Sequence, residues 1–167
     1  MNTQSPKSRT HARPTPAAVL RDLGRRSFCT LATVSPAGRP HIAGVIYELV
    51  DRELFVSTRR TSRKARNIAA DPHVGVCVPV RRLPAGPPAS VHFQSTATIL
   101  APEDPALLAL LEAGRLKSIT GHGELELADG CFLLIPLPAR LLTYGLGVSL
   151  RRLISDPLNA AGHVTLE

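Results

Sequence analysis

Residues Ser27–Thr58 read SFCTLATVSPAGRPHIAGVIYELVDRELFVST, and this run decides the fold. Ser27 to Val34 is dense in β-branched and apolar side chains, and SPAGRP at Ser35 to Pro40 supplies turn chemistry. His41 to Val50 is a second strand-like stretch. Asp51-Arg52 is a two-residue connection, and Glu53 to Thr58 returns as a third strand. Connections this short join antiparallel neighbours, because a parallel crossover needs about a dozen residues or more. The run is a β-meander.

Outward from it, Pro16 to Gly24 reads as a short helix, with Thr15 as N-cap, Pro16 at the first position and Gly24 at the end. On the other side, Thr61 to Ala70 is one short helix, capped by Thr61 or Ser62 and stopped by Asp71-Pro72. His73 to Val80 is a fourth strand, Arg81 to Ala89 a proline-rich loop, and Ser90 to Leu100 a fifth strand alternating at period two. Pro102 to Ser118 reads as a single helix with Asp104 as N-cap. Cys131 to Ile135 and Leu141 to Tyr144 form a sixth strand or strand pair, bent at Pro136 and Pro138. Six strands and three short helices predict a mainly β chain, an antiparallel barrel with peripheral helices. The expected organisation is a basic arm over 1–14, one domain over 15–150 and a C-terminal extension over 151–167.

Composition narrows the function. With 167 residues, 44% apolar and 20% charged, the chain is long and apolar enough for one folded core. The net charge of +7 is concentrated at the start, where residues 1–26 hold six cations and one anion. A basic arm can bind polyanions, yet there is no Trp, and no basic stripe interleaved with stacking aromatics points to specific nucleic-acid binding. The longest apolar stretch, Cys131 to Leu150, is interrupted by Pro136, Pro138 and Arg140, so no membrane span is expected. The N-terminus lacks the apolar centre of a signal peptide, and the cytoplasm is the expected compartment. Cys29, Cys77 and Cys131 are odd in number, far apart and without a C-x-x-C pair, which reads as core residues rather than disulfides or a zinc site. His41, His73, His92 and His122 lack metal-ligand spacing, and Glu124 and Glu126 read as a solvated strand face. No metal site and no nucleophile–base motif is legible, so catalytic residues stay unassigned.

The stretch that carries chemistry is Phe55–Val78, FVSTRRTSRKARNIAADPHVGVCV. A strand ending in Ser57-Thr58 passes into a helix with Arg63 and Lys64 in its first turn and Asn67 one turn along. Cations there oppose the helix dipole unless an anion sits at the helix start. Free N–H groups, the dipole and basic side chains can then converge on one phosphate, aided by hydroxyls of Ser57, Thr58, Thr61 and Ser62. The plainer alternative is a solvated basic helix face with Ser62 as an ordinary cap.

The succession of LATVSPAGRPHIAGVIYEL, ELFVST and SRKARNIAADPHVGV resembles the pyridoxamine 5'-phosphate oxidase-like family of flavin and deazaflavin proteins. The most specific piece is Arg63-Lys64-x-x-Asn67 followed by Asp71-Pro72; the likeness covers about Arg21 to Leu100 and continues loosely to Tyr144. The resemblance implies a six-stranded antiparallel split β-barrel forming a homodimer, with cofactor sites at the interface. It implies that Ser57, Thr58, Ser62, Arg63 and Lys64 hold a phosphate, with Asn67 nearby. Ala43, Gly44, Val45 and Ile46 would lie beside the ring system, and Gln94 would face the cofactor. FMN is the first expectation for that cofactor and the deazaflavin coenzyme F-420 the second. The implied activity is hydride transfer to or from a small molecule, an oxidoreductase. The tryptophan-bearing C-terminal segment of true pyridoxamine phosphate oxidases is absent, which argues against vitamin B6 oxidation. Tyr144-Gly145-Leu146-Gly147 is similar to the close of some deazaflavin-using members. Two other classes stay open: a non-catalytic flavin carrier or sensor, and a haem-binding split-barrel protein with His41 or His163 as axial ligand.

Overall fold

The structure, a computed structural model, describes residues 14–80, 89–121 and 128–166. The arm before Pro14, most of the loop after Val80, and His122, Glu124 and Glu126 lie outside the described residues. The meander opens with β1 (Phe28–Val34) and β2 (Pro40–Ile46), paired from Phe28 opposite Ile46 to Val34 opposite Pro40. Their turn closes through Gly38 N–H to the Ser35 carbonyl at 2.8 Å, with Gly38 at φ 69°. Next come β3 (Glu48–Val50) and β4 (Glu53–Arg59), joined by Asp51 and Arg52 at φ 49° and 67°. Two successive left-handed residues make the primed turn whose twist matches a tight hairpin.

The expectation of one strand over His41–Val50 gives way at Tyr47. This residue is fully buried, and its N–H bonds the Ser27 carbonyl at 2.8 Å, one step beyond Phe28 opposite Ile46, before the chain leaves for β3. Ser90–Leu100 breaks in the same way into β6 (Ala89–Thr96) and β7 (Thr98–Leu100), with Ala97 N–H on the Pro72 carbonyl at 2.8 Å. At both corners the chain passes from one sheet to another. The remaining strands are β5 (His73–Val80), β8 (Gly130–Pro136), β9 (Arg140–Tyr144) and β10 (Ala161–Thr165).

The single six-stranded barrel is therefore corrected. The ten strands among the described residues form two antiparallel sheets, ordered β10-β9-β6-β5-β1-β2 and β3-β4-β8-β7, and no ladder closes them into one cylinder. The 151–167 segment is more than an appendage: β10 pairs with β9 from Ala161 opposite Tyr144 to Thr165 opposite Arg140.

Helix α1 (Pro16–Gly24) has the expected Thr15 cap, and α2 (Arg63–Ala70) is capped by Ser62. The helix expected over Pro102–Ser118 is instead α3 (Pro105–Glu112) and α4 (Lys117–Thr120). Gly114, at φ 66°, ends α3: its N–H reaches the Leu111 carbonyl at 2.9 Å, and Arg115 N–H reaches Leu110 at 2.9 Å. That pair of bonds is a Schellman cap, which a glycine in the left-handed region permits. A fifth helix, α5 (Leu150–Ser155), precedes β10.

The two sheets face each other across the main core, where Leu31, Val76, Val91, Leu54 and Leu133 meet Val19 and Leu23 of α1. A second cluster lies on the far side of the small sheet, where Phe55 and Phe132 pack against Leu107, Leu116 and Ile119. Strands β4 and β8 are thus covered on both faces, which explains their unbroken apolar runs LFV and CFLLI. The six-stranded sheet has only one covered face.

One buried hydroxyl ties α1 to this core: Tyr47 Oη donates to the Leu23 carbonyl at 2.7 Å. Burial pushes the Tyr47 phenol well above its ordinary value, so it remains a donor. The same carbonyl also accepts Arg26 N–H, so Tyr47→Phe leaves it partly satisfied. The expected cost is about 1 kcal/mol, read as a lowered midpoint in chemical denaturation with an unchanged slope.

Candidate functional site

Strand β3 stops pairing with β4 at Glu48 opposite Phe55, whereas β4 runs on to Arg59 with only β8 beside it. On that unpaired flank, between the end of β4 and the edge strand β2, lies a cleft of about 220 Å³. Gly44, Val45, Ile46, Ser57 and Lys64 line it, together with Ser118 and Ile119 of α4. Residues far apart in sequence, singled out from the strand–helix junction and from β2, are brought to one place.

The first turn of α2 is prepared locally. Ser62 Oγ accepts the Ala65 N–H at 3.3 Å and is itself bonded by Thr58 Oγ1 at 3.3 Å. Thr61 Oγ1 donates to Asp129 at 2.7 Å, and Arg59 stands 4.0 Å from the same carboxylate. The turn holds no acid, so nothing within it offsets the charge of Arg63 and Lys64. Lys64 is half-buried on the cleft wall, and Arg63 is exposed. An anion in the cleft would meet the Lys64 ammonium group and the Ser57 hydroxyl together.

Three other predicted residues sit elsewhere. Ala43 packs against the main core, as alternation from Gly44 requires. Asn67 is 3% exposed, and its Nδ2 donates to Thr33 Oγ1 at 2.9 Å, fastening α2 to β1. Gln94 lines a different concavity at the other end of β2.

Sequence reading missed Ser118, Ile119 and Phe28. The wall made by α4 is clamped to the β3–β4 hairpin at two points. Arg115 makes a bidentate pair with Asp51 at 2.7 and 2.9 Å, and the Ser118 N–H reaches Glu48 Oε2 at 2.9 Å. The hydrogen bond from Arg115 holds the Asp51 carboxyl below the usual carboxylate range. These contacts span about seventy residues of sequence and leave no local pattern.

Phe28 lies over Gly44. A Cβ built on Gly44 would stand 2.9 and 3.0 Å from the Phe28 ring, so only glycine allows this approach. Gly44→Ala is expected to swing the half-exposed ring aside at a cost of about 1 kcal/mol. The check is a thermal melt together with NMR resonances of the Phe28 ring, which should move more than any other aromatic signal.

The thiols offer no nucleophile. Burial pushes Cys29 up to about 12, and burial raises Cys77 and Cys131 as well, so all three stay protonated near neutrality.

The profile of the pyridoxamine 5'-phosphate oxidase family matches residues 15–124. No curated protein sequence matches the chain. Among solved structures, a heme binding protein from Mycobacterium smegmatis superposes with a TM-score of 0.69 at 19% identity. That match covers 92% of this chain but 59% of the other, so the chain spans less than two thirds of that protein. A FAD-binding protein from Mesorhizobium loti superposes at 0.57 with 20% identity, over 72% of this chain and 86% of that one. An F420 reductase superposes at 0.51 with 23% identity, over 71% and 92% respectively. At these identities the likeness is one of fold.

Proposed function

The chain belongs to the pyridoxamine 5'-phosphate oxidase family, and from that membership we propose that it is an oxidoreductase that binds FMN, its phosphate held at the start of α2. The observation that carries this reading is the cleft itself, which gathers Lys64, Ser57 and the Gly44–Ile46 backbone around one anion-sized space. Its volume of about 220 Å³ is below the roughly 300–1,000 Å³ of sites that engulf a whole ligand. It suits the phosphate end of such a cofactor, leaving the ring system to extend along β2, over Ile46 and the Phe28 ring that covers Gly44. Those residues are exposed in a single chain, so a ring there requires a further cover, which a second copy of the chain supplies.

When bound, a flavin supplies the hydride chemistry. The chain's own part is to hold the phosphate with Lys64 and Ser57 and to present the Phe28 ring, seated on Gly44, as a flat apolar surface. The deazaflavin coenzyme F-420 shares the phosphate and is the second reading; solved neighbours of the same fold include both a FAD-binding protein and an F420 reductase.

Purified protein should bind FMN or F-420 with a one-to-one stoichiometry in absorbance and fluorescence titrations. Binding of neither would end the proposal. A Soret band on adding haem, with no response to either flavin, would transfer the assignment to the haem-binding class. Tight flavin binding without reduction of any quinone or enone acceptor would leave a carrier or sensor.

A further inference from the structure

The second concavity, of about 700 Å³, lies at the opposite end of β2 from the phosphate cleft. Four strand termini meet there: Val34 ends β1, Pro40 begins β2, His73 begins β5 and Thr96 ends β6. Ala32 stands opposite Gly75, and Gly75 opposite Gln94, so the row across three strands is floored by two residues with little or no side chain. The lining is mainly apolar, and neither Arg nor Lys contributes to it. The size falls within the range of small-molecule sites.

Two polar groups point to what fits. Gln94 is exposed, and its amide has no hydrogen-bond partner among the described residues. His73 is oriented by Asp71, whose Oδ1 lies 2.7 Å from the ring Nδ1 and accepts the His73 N–H at 3.0 Å. Those bonds hold the Asp71 carboxyl below its ordinary range and fix the ring by its Nδ1 edge. The Nε2 edge of the exposed ring is left open to a ligand. His73 pairs with Thr96 and Gly75 with Gln94, which puts His73 and Gln94 on a diagonal of about 7–8 Å, within reach of one small group.

We infer that this cleft is a second small-molecule site, for a flat, uncharged aromatic ring carrying a hydroxyl. The ring lies on Ala32 and Gly75 against Val34 and Pro40. The hydroxyl donates to His73 Nε2 and accepts from the Gln94 amide. An anion is disfavoured, because the lining residue His73 is held by the Asp71 carboxylate and neither Arg nor Lys lines the cleft. The two clefts thus select opposite chemistries: a phosphate at one end of β2 and a neutral ring at the other.

The probe is 2-naphthol, whose fluorescence is read directly because the chain contains no Trp. Saturable one-to-one binding is expected, with naphthalene, lacking the hydroxyl, about tenfold weaker. Gly75→Leu fills the floor and should weaken 2-naphthol by about tenfold or more. The backbone tolerates a side chain there, since a Cβ on Gly75 meets only Ala32 Cβ at 3.5 Å. Gln94→Leu, at an exposed position, should weaken it by about three- to tenfold with folding untouched. Saturating FMN should not displace the probe. The assignment is overturned if binding is not saturable, if Gln94→Leu binds as tightly as the parent, or if FMN competes, which would give the cleft to the flavin. Naphthol binding in a protein that ignores FMN leaves this site standing while the FMN reading falls.

Discussion

Lys64→Ala is expected to weaken FMN binding by about ten- to a hundredfold while leaving the melting temperature of the apo protein unchanged or slightly higher. A charge-assisted hydrogen bond to a phosphate is worth about 1.5–3 kcal/mol, and about 1.4 kcal/mol is tenfold in Kd. The same ammonium opposes the dipole of α2 from its first turn, where no acid accompanies it. Its removal therefore costs the complex and relieves the apo helix. Lys64→Glu should carry both effects further, with weaker binding and a higher apo melting temperature. Opposite movement of affinity and apo stability is the diagnostic result, obtained by fluorescence titration of FMN and calorimetry of the apo protein. Unchanged affinity in both Lys64 variants would mean that this turn is a solvated basic face.

The parts of this molecule that were legible in sequence are those encoded by neighbours. Asp51-Arg52 specifies its hairpin, Thr15 and Ser62 their caps, and Asp71-Pro72 the end of α2. The breaks at Tyr47 and Ala97 were not legible, because there the chain leaves the large sheet for the small one just past its last bonds to Ser27 and Pro72, and new partners in β4 and β8 take over. Strand-like residues run straight through both corners, so in sequence each stretch reads as one long strand. Strand β10 was hidden by weak strand residues: Ala161 and Gly162 carry little β-propensity and are held by the partner β9. At the site, Lys64 and Ser57 follow from the strand–helix junction. Asn67 looked similar in sequence, one turn after Arg63, yet the helix turns it inward to Thr33. Period 3.6 and the position of β1 together decide that, and sequence supplies only the first. The α4 wall depends on Gly114 and on ion pairing between Arg115 and Asp51, a contact no local pattern announces.

The uncovered face of the six-stranded sheet supplies the second large effect, because the homodimer proposed with the cofactor reading would use it. Register places Gly44, Thr30, Cys77, His92, Leu142 and His163 in one row across all six strands. Phe28, Ile42, Ile46 and Leu142 project from this face and are 49–66% exposed, with the second cleft lying beyond them at its Val34 end. A contiguous apolar face of this kind marks an interface more often than open solvent, and Gly44 and Ile46 belong both to it and to the phosphate cleft. In a two-fold dimer each substitution acts twice. Leu142→Glu would therefore bury two carboxylates in an apolar interface, a cost of several kcal/mol and about a hundredfold or more in the dimer dissociation constant. Light scattering should then find a folded 17.9 kDa monomer at micromolar concentration in place of a dimer. Flavin affinity should fall with it, although Leu142 does not line the cleft, because the ring loses its cover. Leu108→Glu, on α3 and 43% exposed, should change neither size nor binding. A Leu142→Glu protein that remains dimeric would place the interface elsewhere; one that is monomeric yet binds FMN at full strength would show that each chain holds the cofactor alone.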